Sequence, residues 1–212
     1  MEKPVSSSVI KRLPRYYRYL GELLSLGIER ISSKELSQRM GITASQIRQD
    51  LNCFGGFGQQ GYGYNVEYLY GEIAKILGLD FKYKAILVGV GNIGHALTRN
   101  TNFEKRGFNL VGIFDTDPQK IGMKIQNLTV LDYKEVKSFI EMECPTMAIL
   151  SVPRVVANQV ANELYDMGIK AFLNFSYAEL AKRDDVVVEN IHLGDSLMRL
   201  CYKISKKNKN EV

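Results

Sequence analysis

The sequence predicts an α/β protein with an N-terminal winged-helix domain, a Rossmann-type doubly wound parallel sheet and a C-terminal helix. Two observations predict this order. Three short helical patterns, separated by glycine-containing turns, lead into a glycine-rich hairpin pattern. A GxGxxG sequence then follows directly on a short apolar strand pattern. We place the domain boundaries at residues 1–80, 81–190 and 191–212.

Composition is that of an ordinary globular protein, since 45% of the 212 residues are hydrophobic and 24% are charged. No apolar run approaches the roughly 20 residues that span a bilayer, and residues 1–8 lack the apolar core of a secretory signal. We therefore expect a cytoplasmic protein with no membrane association. Cys53, Cys144 and Cys201 lie far apart without CxxC spacing, which predicts buried, reduced thiols and no metal site.

Positive charge is concentrated at the two ends of the chain. Residues 1–84 carry 12 basic and 8 acidic side chains, residues 85–198 carry 11 and 14, and residues 199–212 carry 5 and 1. Such an excess suits a polyanionic partner for the N-terminal part, although solubility alone would also account for it.

Two helices are predicted first. Over residues 10–26 apolar side chains recur along one face, at Ile10, Leu13, Tyr17, Leu20, Leu23 and Leu24. Gly27 ends this helix. Ser32 and Glu35 then have capping-box spacing, and Gly41 stands where a helix C-terminus needs positive φ. A short second helix is predicted between them.

A third helix follows closely, which completes a helix-turn-helix pattern. Thr43 and Gln46 repeat the capping-box spacing, ahead of an apolar stripe at Ile47, Leu51 and Phe54. The opposite face carries side chains able to bind base edges or phosphates in a DNA major groove: Ser45, Gln46, Arg48 and Gln49. Asp50 is the nearby counter-charge. The alternative is a three-helix module for dimerisation or protein binding.

The wing of the winged helix is predicted over residues 55–64, which are dense in glycine and aromatics. Its polar tip, with Gln59, Gln60 and Tyr62, is expected to reach a minor groove or the DNA backbone. Residues 66–79 return to helical spacing and close the small domain.

A dinucleotide site is predicted where the apolar strand at residues 84–88 meets the sequence Gly89, Val90, Gly91, Asn92, Ile93 and Gly94. The first glycine permits a tight turn, the second lets the backbone approach a pyrophosphate, and the third lets the next helix pack closely. A second strand over residues 109–114 ends in Asp115, 21 residues beyond Gly94. An acid there accepts hydrogen bonds from ribose hydroxyls and repels a 2′-phosphate, which favours NAD(H).

Two features leave alternatives open at this site. Lys120 lies near Asp115 and weakens the argument against a phosphorylated cofactor. A degenerate fold that binds no ligand is the second alternative.

Further strands at residues 146–152, 170–175 and 186–189 alternate with helices at 136–140 and 155–167, which indicates a parallel sheet. Loops after these strands nominate Ser151, Val152, Pro153, Asn174 and Phe175 as cleft walls, or as plain turn residues.

An enzyme is disfavoured because no second domain follows to build a substrate pocket and an acid or base. Neither His95 nor His192 has an obvious acidic partner in sequence. A small NAD-dependent oxidoreductase, or an NAD-binding regulatory subunit, is the alternative.

The last segment carries an apolar stripe that we expect to pack into a groove, at Leu193, Leu197, Leu200 and Ile204. Exchange of this helix within a homodimer would match a palindromic operator.

These motifs resemble the Rex family of redox-sensing repressors over nearly the whole chain, most specifically at residues 12–20, 31–36, 43–51, 54–64, 89–94 and 168–170. The resemblance implies a homodimer with a swapped C-terminal helix. It also implies that the dimer binds operator DNA when NAD⁺ dominates and releases it when NADH binds. Genes of fermentation and anaerobic respiration are the targets implied.

The resemblance further implies an ion pair between Arg18 and an acid near the start of the swapped helix. Here the chain departs from the family, because that position is His192, with Asp195 three residues on. A tyrosine often found in the first Rossmann helix is replaced by Asn100. We expect Phe175, together with Leu193 from the partner subunit, to surround the nicotinamide ring.

Overall fold

A computed structural model describes residues 5–59, 62–100, 103 and 107–210. The chain divides into two compact units, Met1–Phe81 and Lys82–Val212. In the first unit the elements are α1 (Ser7–Ser25), β1 (Arg30–Ile31), α2 (Ser33–Met40), α3 (Ala44–Asn52), β2 (Gly58–Gln59), β3 (Gly63–Asn65) and α4 (Val66–Ile76), followed by a 3-10 turn at Leu79–Phe81. The three strands form an antiparallel sheet in the order β1-β3-β2. The predicted winged helix is confirmed.

Helix α1 buries a face that overlaps most of the predicted stripe but also includes Val9 and Tyr16. Its buried residues are Val9, Leu13, Tyr16, Leu20 and Leu23. Ile10, predicted on the apolar face, is 42% exposed and lies off the buried face. The stripe is rotated because the Tyr16 hydroxyl donates to Asp50 in the interior, 2.9 Å away, and its burial therefore leaves no polar group unpaired.

The caps of α2 form as predicted. The Ser32 hydroxyl accepts from the Glu35 amide at 3.1 Å, and the Ser32 amide donates to the Glu35 carboxylate at 2.8 Å. Gly41 ends the helix with a φ of 64°. At α3 only half of the predicted capping box forms. The Thr43 hydroxyl accepts from the backbone amide of Gln46, whereas the side chain of Gln46 donates to Asp50 instead of bonding back to Thr43.

The second unit is a seven-stranded sheet flanked by helices. Its elements are β4 (Tyr83–Val88), α5 (Asn92–Asn100), β5 (Phe108–Asp115), β6 (Lys124–Ile125), β7 (Leu128–Asp132), α6 (Val136–Glu143), β8 (Met147–Leu150), α7 (Arg154–Asp166), β9 (Ala171–Asn174), β10 (Val187–Asn190) and α8 (Leu193–Asn210). The strand order is β10-β9-β8-β4-β5-β7-β6. All neighbours are parallel except the edge strand β6, which runs antiparallel to β7. The sequence did not predict β6 or β7.

Alternating strand residues divide the core of this unit between two faces. Leu87 and Ile149 belong to one cluster, against α5, whereas Ile86, Phe114 and Leu150 belong to the other, against α6 and α7. After β5, β6 and β7 the chain returns to the far side of β4 to form β8. A topological switch point therefore lies between the carboxyl ends of β4 and β8, where open α/β sheets bind ligands.

The surface departs from one expectation. Cys53, Cys144 and Cys201 are free and exposed, so the prediction of buried thiols was wrong. Cys53 and Cys144 occupy the C-terminal caps of α3 and α6, and Cys201 lies on an exposed turn of α8, so none faces a core. Within the described residues, no helix is both long enough and apolar enough to span a membrane.

Candidate functional site

The glycine turn between β4 and α5 is packed tightly against itself and against Ser151. Gly89 has a φ of 95°, and a Cβ added there would lie 2.7 Å from the Ser151 carbonyl oxygen. A Cβ on Gly94 would overlap the Gly89 carbonyl oxygen and lie 2.7 Å from Ser151 Oγ. The Ser151 hydroxyl donates to the Gly89 carbonyl at 2.6 Å. Only glycine fits at Gly89 and Gly94, for the reasons that the motif predicts.

Gly91 is different, because a Cβ added there would meet none of the described residues within 4 Å. Gly91 and Asn92 are exposed at the start of α5. Backbone amides in the first turn of a helix have no partner within the helix and carry its positive dipole end. The turn therefore offers an open approach for an anionic group such as a pyrophosphate.

A cleft of about 1100 Å³ opens beside this turn, at the carboxyl ends of β4, β5, β8 and β9. Most of the predicted cofactor residues line it, namely Gly89, Gly91, Asn92, Ile93, Asp115, Val152, Pro153 and Phe175. Val90 and Gly94 are buried behind the turn. A volume of this size is at the upper end of ordinary ligand pockets.

Asn174 is fully buried and does not line the cleft. Its amide nitrogen donates to the Ala178 carbonyl at 2.7 Å and to Asn190 at 2.8 Å. Its oxygen accepts from the Ser176 amide at 3.0 Å and from the Ser176 hydroxyl at 2.6 Å. Asn174 therefore braces the turn that carries Phe175 into the cleft wall.

Asp115 is held tightly at the floor of the cleft. Its Oδ2 accepts from the Val90 amide at 2.7 Å and from Lys120 Nζ at 3.2 Å, and its Oδ1 accepts from the Asp117 amide at 2.9 Å. Burial works to raise the pKa of Asp115, but these donors outweigh it and hold the pKa below its ordinary value. A carboxylate has about four acceptor sites. One site therefore stays open for a ribose hydroxyl.

Several cleft residues were not predicted: Thr116, Asp117, Tyr133, Arg154, Gln159, Glu163, Ser176 and Tyr177. Glu163 accepts from the Tyr133 hydroxyl and from the Gln159 amide, each at 2.9 Å. Burial and the bond to Glu163 raise the pKa of Tyr133, so its hydroxyl stays protonated. Tyr133 follows β7, whereas Gln159 and Glu163 lie on α7. Because β7 was not predicted, the sequence analysis could not place Tyr133 beside the glycine turn.

The exposed face of α3 is smaller than predicted. Ser45, Arg48 and Gln49 are exposed there, and Arg48 Nη1 donates to Ser33 Oγ at 3.0 Å. Gln46 is half-buried, and its amide donates to Asp50 at 2.8 Å. Asp50, the predicted nearby counter-charge, is fully buried and pairs with Arg12 of α1.

On the wing, Tyr62 is 70% exposed and lies 5.8 Å from the Arg30 guanidinium carbon. The exposed Tyr62 ring and the Arg30 guanidinium therefore lie side by side, where a negatively charged partner could contact both. Of the other residues predicted at the tip, Gln60 lies outside the described residues, and so does the side chain of Gln59.

The residues matched to the family's switch are placed as follows. Arg18 is exposed on α1. His192 stacks on Tyr177 with ring centroids 5.4 Å apart, and its Nε2 is buried without a hydrogen-bond partner among the described residues. Leu193 and Asp195 are exposed in the first turn of α8. The side chain of Asn100 lies outside the described residues.

Comparison with known proteins gives matches to both units. A family model described as "Putative DNA-binding protein N-terminus" matches residues 4–52, and one described as "CoA binding domain" matches residues 80–178. The chain is 55% identical over 206 residues to a redox-sensing transcriptional repressor Rex of Caldicellulosiruptor saccharolyticus, covering 97% of this chain and 94% of that protein. It is 50% identical over 210 residues to the Rex repressor of Clostridium novyi, covering 98% of this chain and 100% of that protein.

Solved structures give the same result over the whole length. The fold matches the crystal structure of RSP in complex with β-NAD⁺ and operator DNA, with a TM-score of 0.89 and 52% identity, covering 99% of this chain and 96% of that one. It also matches RSP in complex with β-NADH, with a TM-score of 0.89 and 49% identity, covering 99% and 98% of the two chains.

Proposed function

This chain belongs to the Rex family of redox-sensing transcriptional repressors, and we propose that its homodimer binds a palindromic operator and releases it when the glycine-turn cleft takes up NADH. The family consists of repressors, so the chain is not an oxidoreductase. We propose a cytoplasmic location, because a repressor acts where its operator DNA lies. The observation that carries the proposal is that one chain joins a glycine turn tied to Asp115 with a helix-turn-helix whose third helix has one exposed polar face.

The cleft residues fit NAD(H). Gly91 leaves room for a pyrophosphate at the start of α5, and Gly89 and Gly94 have no space for a side chain. Asp115 keeps one acceptor site for the adenosine ribose, and its negative charge disfavours a 2′-phosphate. Lys120 shares that carboxylate, and we propose that it steadies Asp115 rather than binding a phosphate.

The redox signal is a difference of one charge on the nicotinamide ring, which is neutral when reduced and positive when oxidised. Phe175 and the apolar wall around Val152 and Pro153 favour the neutral form, because an unpaired charge is costly in apolar surroundings. We propose that the partner subunit's Leu193 completes this wall. Arg18, His192 and Asp195 are the proposed switch residues between subunits.

DNA recognition is proposed for the exposed face of α3 and for the wing. Ser45, Arg48 and Gln49 lie at positions from which recognition helices contact bases and phosphates, and Gln46 lies beside them. Tyr62 and Gln60 are proposed to contact the DNA backbone or the minor groove from the wing. Glutamine pairs best with adenine in the major groove, so Gln49 favours an adenine in each half-site.

Dimerisation is proposed through α8. The helix leaves large apolar side chains more than half exposed, namely Leu193, Leu197, Met198, Leu200, Tyr202 and Ile204. A stripe of this extent on one terminal helix needs a covering surface. Exchange of α8 between two copies of the chain would supply it and would give the two-fold symmetry of a palindromic operator.

Fluorescence anisotropy with a labelled palindromic duplex tests the proposal in three states: without nucleotide, with NAD⁺ and with NADH. We expect NADH to weaken binding by about 5- to 150-fold, which corresponds to the usual allosteric coupling of about 1–3 kcal/mol. A scrambled duplex of the same length is the control, measured at one fixed salt concentration. Equal operator affinity in all three states would contradict the sensor.

A further inference from the structure

The carboxylate of Asp50 is the most densely bonded side-chain group of α3. It accepts four hydrogen bonds: from Arg12 Nε at 2.6 Å, Arg12 Nη2 at 2.8 Å, the Tyr16 hydroxyl at 2.9 Å and the Gln46 amide at 2.8 Å. All four acceptor sites of the carboxylate are therefore used. Two donor residues lie on α1 and the third lies one turn earlier on α3.

This arrangement satisfies the requirements of a buried charge. Asp50 is 0% exposed, and an unpaired carboxylate in that position would be strongly destabilising. The planar guanidinium of Arg12 meets it with two parallel bonds, a geometry that lysine cannot reproduce. Burial works to raise the pKa of Asp50, but the bonds from Arg12, Gln46 and Tyr16 outweigh it and hold the pKa below its ordinary value. The group is thus an ionised carboxylate.

Helix α1 also binds α2, the first helix of the helix-turn-helix. Arg15 Nη2 donates to the Met40 carbonyl at 2.6 Å, at the C-terminus of α2, where the helix dipole is negative. Arg12, Arg15 and Tyr16 lie within about one turn of α1, so one short segment binds both α2 and α3. The two arginines therefore stabilise the helix-turn-helix from behind instead of offering their charge to DNA.

We propose that Asp50 is a positioning residue for operator recognition, and that Gln46 acts through it to fix the rotation of α3 instead of reading a base. This rests on the proposed repressor function. The amide nitrogen of Gln46 already donates to Asp50 and the residue is half-buried, whereas Ser45 and Gln49 are exposed on the same helix. The network then determines the direction in which Ser45 and Gln49 point.

Base preference separates a positioning residue from a reading residue. The experiment measures binding of the full-length dimer to the operator and to each single-base variant of one half-site. A variant that loses a reading residue loses discrimination at one or two base pairs, by about 5- to 150-fold each. For Gln46→Ala and Asp50→Asn we expect discrimination to fall together at every base pair that α3 contacts. Gln49→Ala is the matched control, because it removes an exposed amide from the same helix.

The double variant provides a second test. If Gln46 acts through Asp50, then Gln46→Ala combined with Asp50→Asn loses no more specificity than Asp50→Asn alone. Should Asp50→Asn fold poorly, Gln46→Ala still decides the question, since it removes one bond of four and leaves the Arg12 pair intact. Thermal unfolding and the NADH dissociation constant confirm that each variant is folded.

Two results would overturn the inference: loss of discrimination at a single base pair in Gln46→Ala, or an unchanged base profile in both variants. Either can occur while the unaltered protein binds its operator and responds to NADH. Failure of the unaltered protein to distinguish operator from scrambled duplex would instead contradict the proposed function.

Discussion

Replacing two glycines of the same turn by alanine should separate ligand binding from folding. A methyl group on Gly94 would collide with the Gly89 carbonyl oxygen and lie 2.7 Å from Ser151 Oγ, so α5 must move away from the turn. A methyl group on Gly91 meets none of the described residues within 4 Å, and would occupy the space where a pyrophosphate approaches. Gly94→Ala therefore alters the packing of the turn, whereas Gly91→Ala alters only the space through which a ligand approaches the turn.

The magnitudes follow from these contacts. Overpacking costs about 1–3 kcal/mol, and Gly94→Ala should destabilise the second unit by this amount. A ligand that requires the closed turn must restore it, so NADH affinity falls by the same free energy, about 5- to 150-fold. Gly91→Ala should leave the unfolding free energy unchanged or raise it by up to about 1 kcal/mol, because its backbone has no positive φ. Its NADH affinity should nevertheless fall at least tenfold.

Isothermal titration calorimetry with NADH and thermal unfolding measure the two quantities separately. Operator binding without nucleotide is the control, and we expect both variants to retain it, because the winged-helix unit is untouched. If Gly94→Ala and Gly91→Ala both bind NADH as the unaltered protein does, the glycine turn is not the pyrophosphate site.

Three further predictions concern single groups. Asp115→Ala should weaken NADH binding at least tenfold and leave operator binding without nucleotide intact; loss of operator binding in that control would mean that the roles of the two units are wrongly assigned. Ser32→Ala removes the α2 capping box and should cost about 1 kcal/mol, which lowers the melting temperature of an 81-residue unit by about 4–8 °C; a shift below 1 °C would contradict it. The folded-state pKa of Asp50 is depressed, so its stabilisation is present above the unfolded pKa of about 3.9 and is lost as pH falls through the folded pKa. The stability of the first unit should therefore begin to fall at about pH 4, and it should fall less steeply in a stable Asp50→Asn variant; equal slopes in acid-denaturation curves of the two proteins would contradict this.

The sequence predicts those elements whose determinants are local. Ser32, Glu35 and Gly41 bound α2 through bonds and backbone angles within a few residues of each other. The glycine turn is equally local, since strand, turn and helix follow without interruption. These features can be read from spacing alone because no distant residue is needed to form them.

Features that depend on distant partners were missed. The two-residue strand β1 exists because it pairs with β3, about 34 residues along the chain, and carries no alternation of its own. Tyr16 enters the core because Asp50, also 34 residues away, accepts its hydroxyl. Tyr133 reaches the cleft through β7, a short strand that periodicity could not reveal. Asn174 was expected in the cleft wall, and its bonds to Ala178 and Asn190 place it behind that wall.

In the proposed sensor, nucleotide binding in one unit is coupled to DNA binding by the other. Thermodynamic linkage requires this coupling to be reciprocal, so DNA must change NADH affinity by the same factor by which NADH changes DNA affinity. Calorimetric titration of NADH into the dimer, with and without saturating operator duplex, tests this directly. We expect the affinity for NADH to be about 5- to 150-fold weaker in the presence of operator. An identical dissociation constant in both titrations would contradict it.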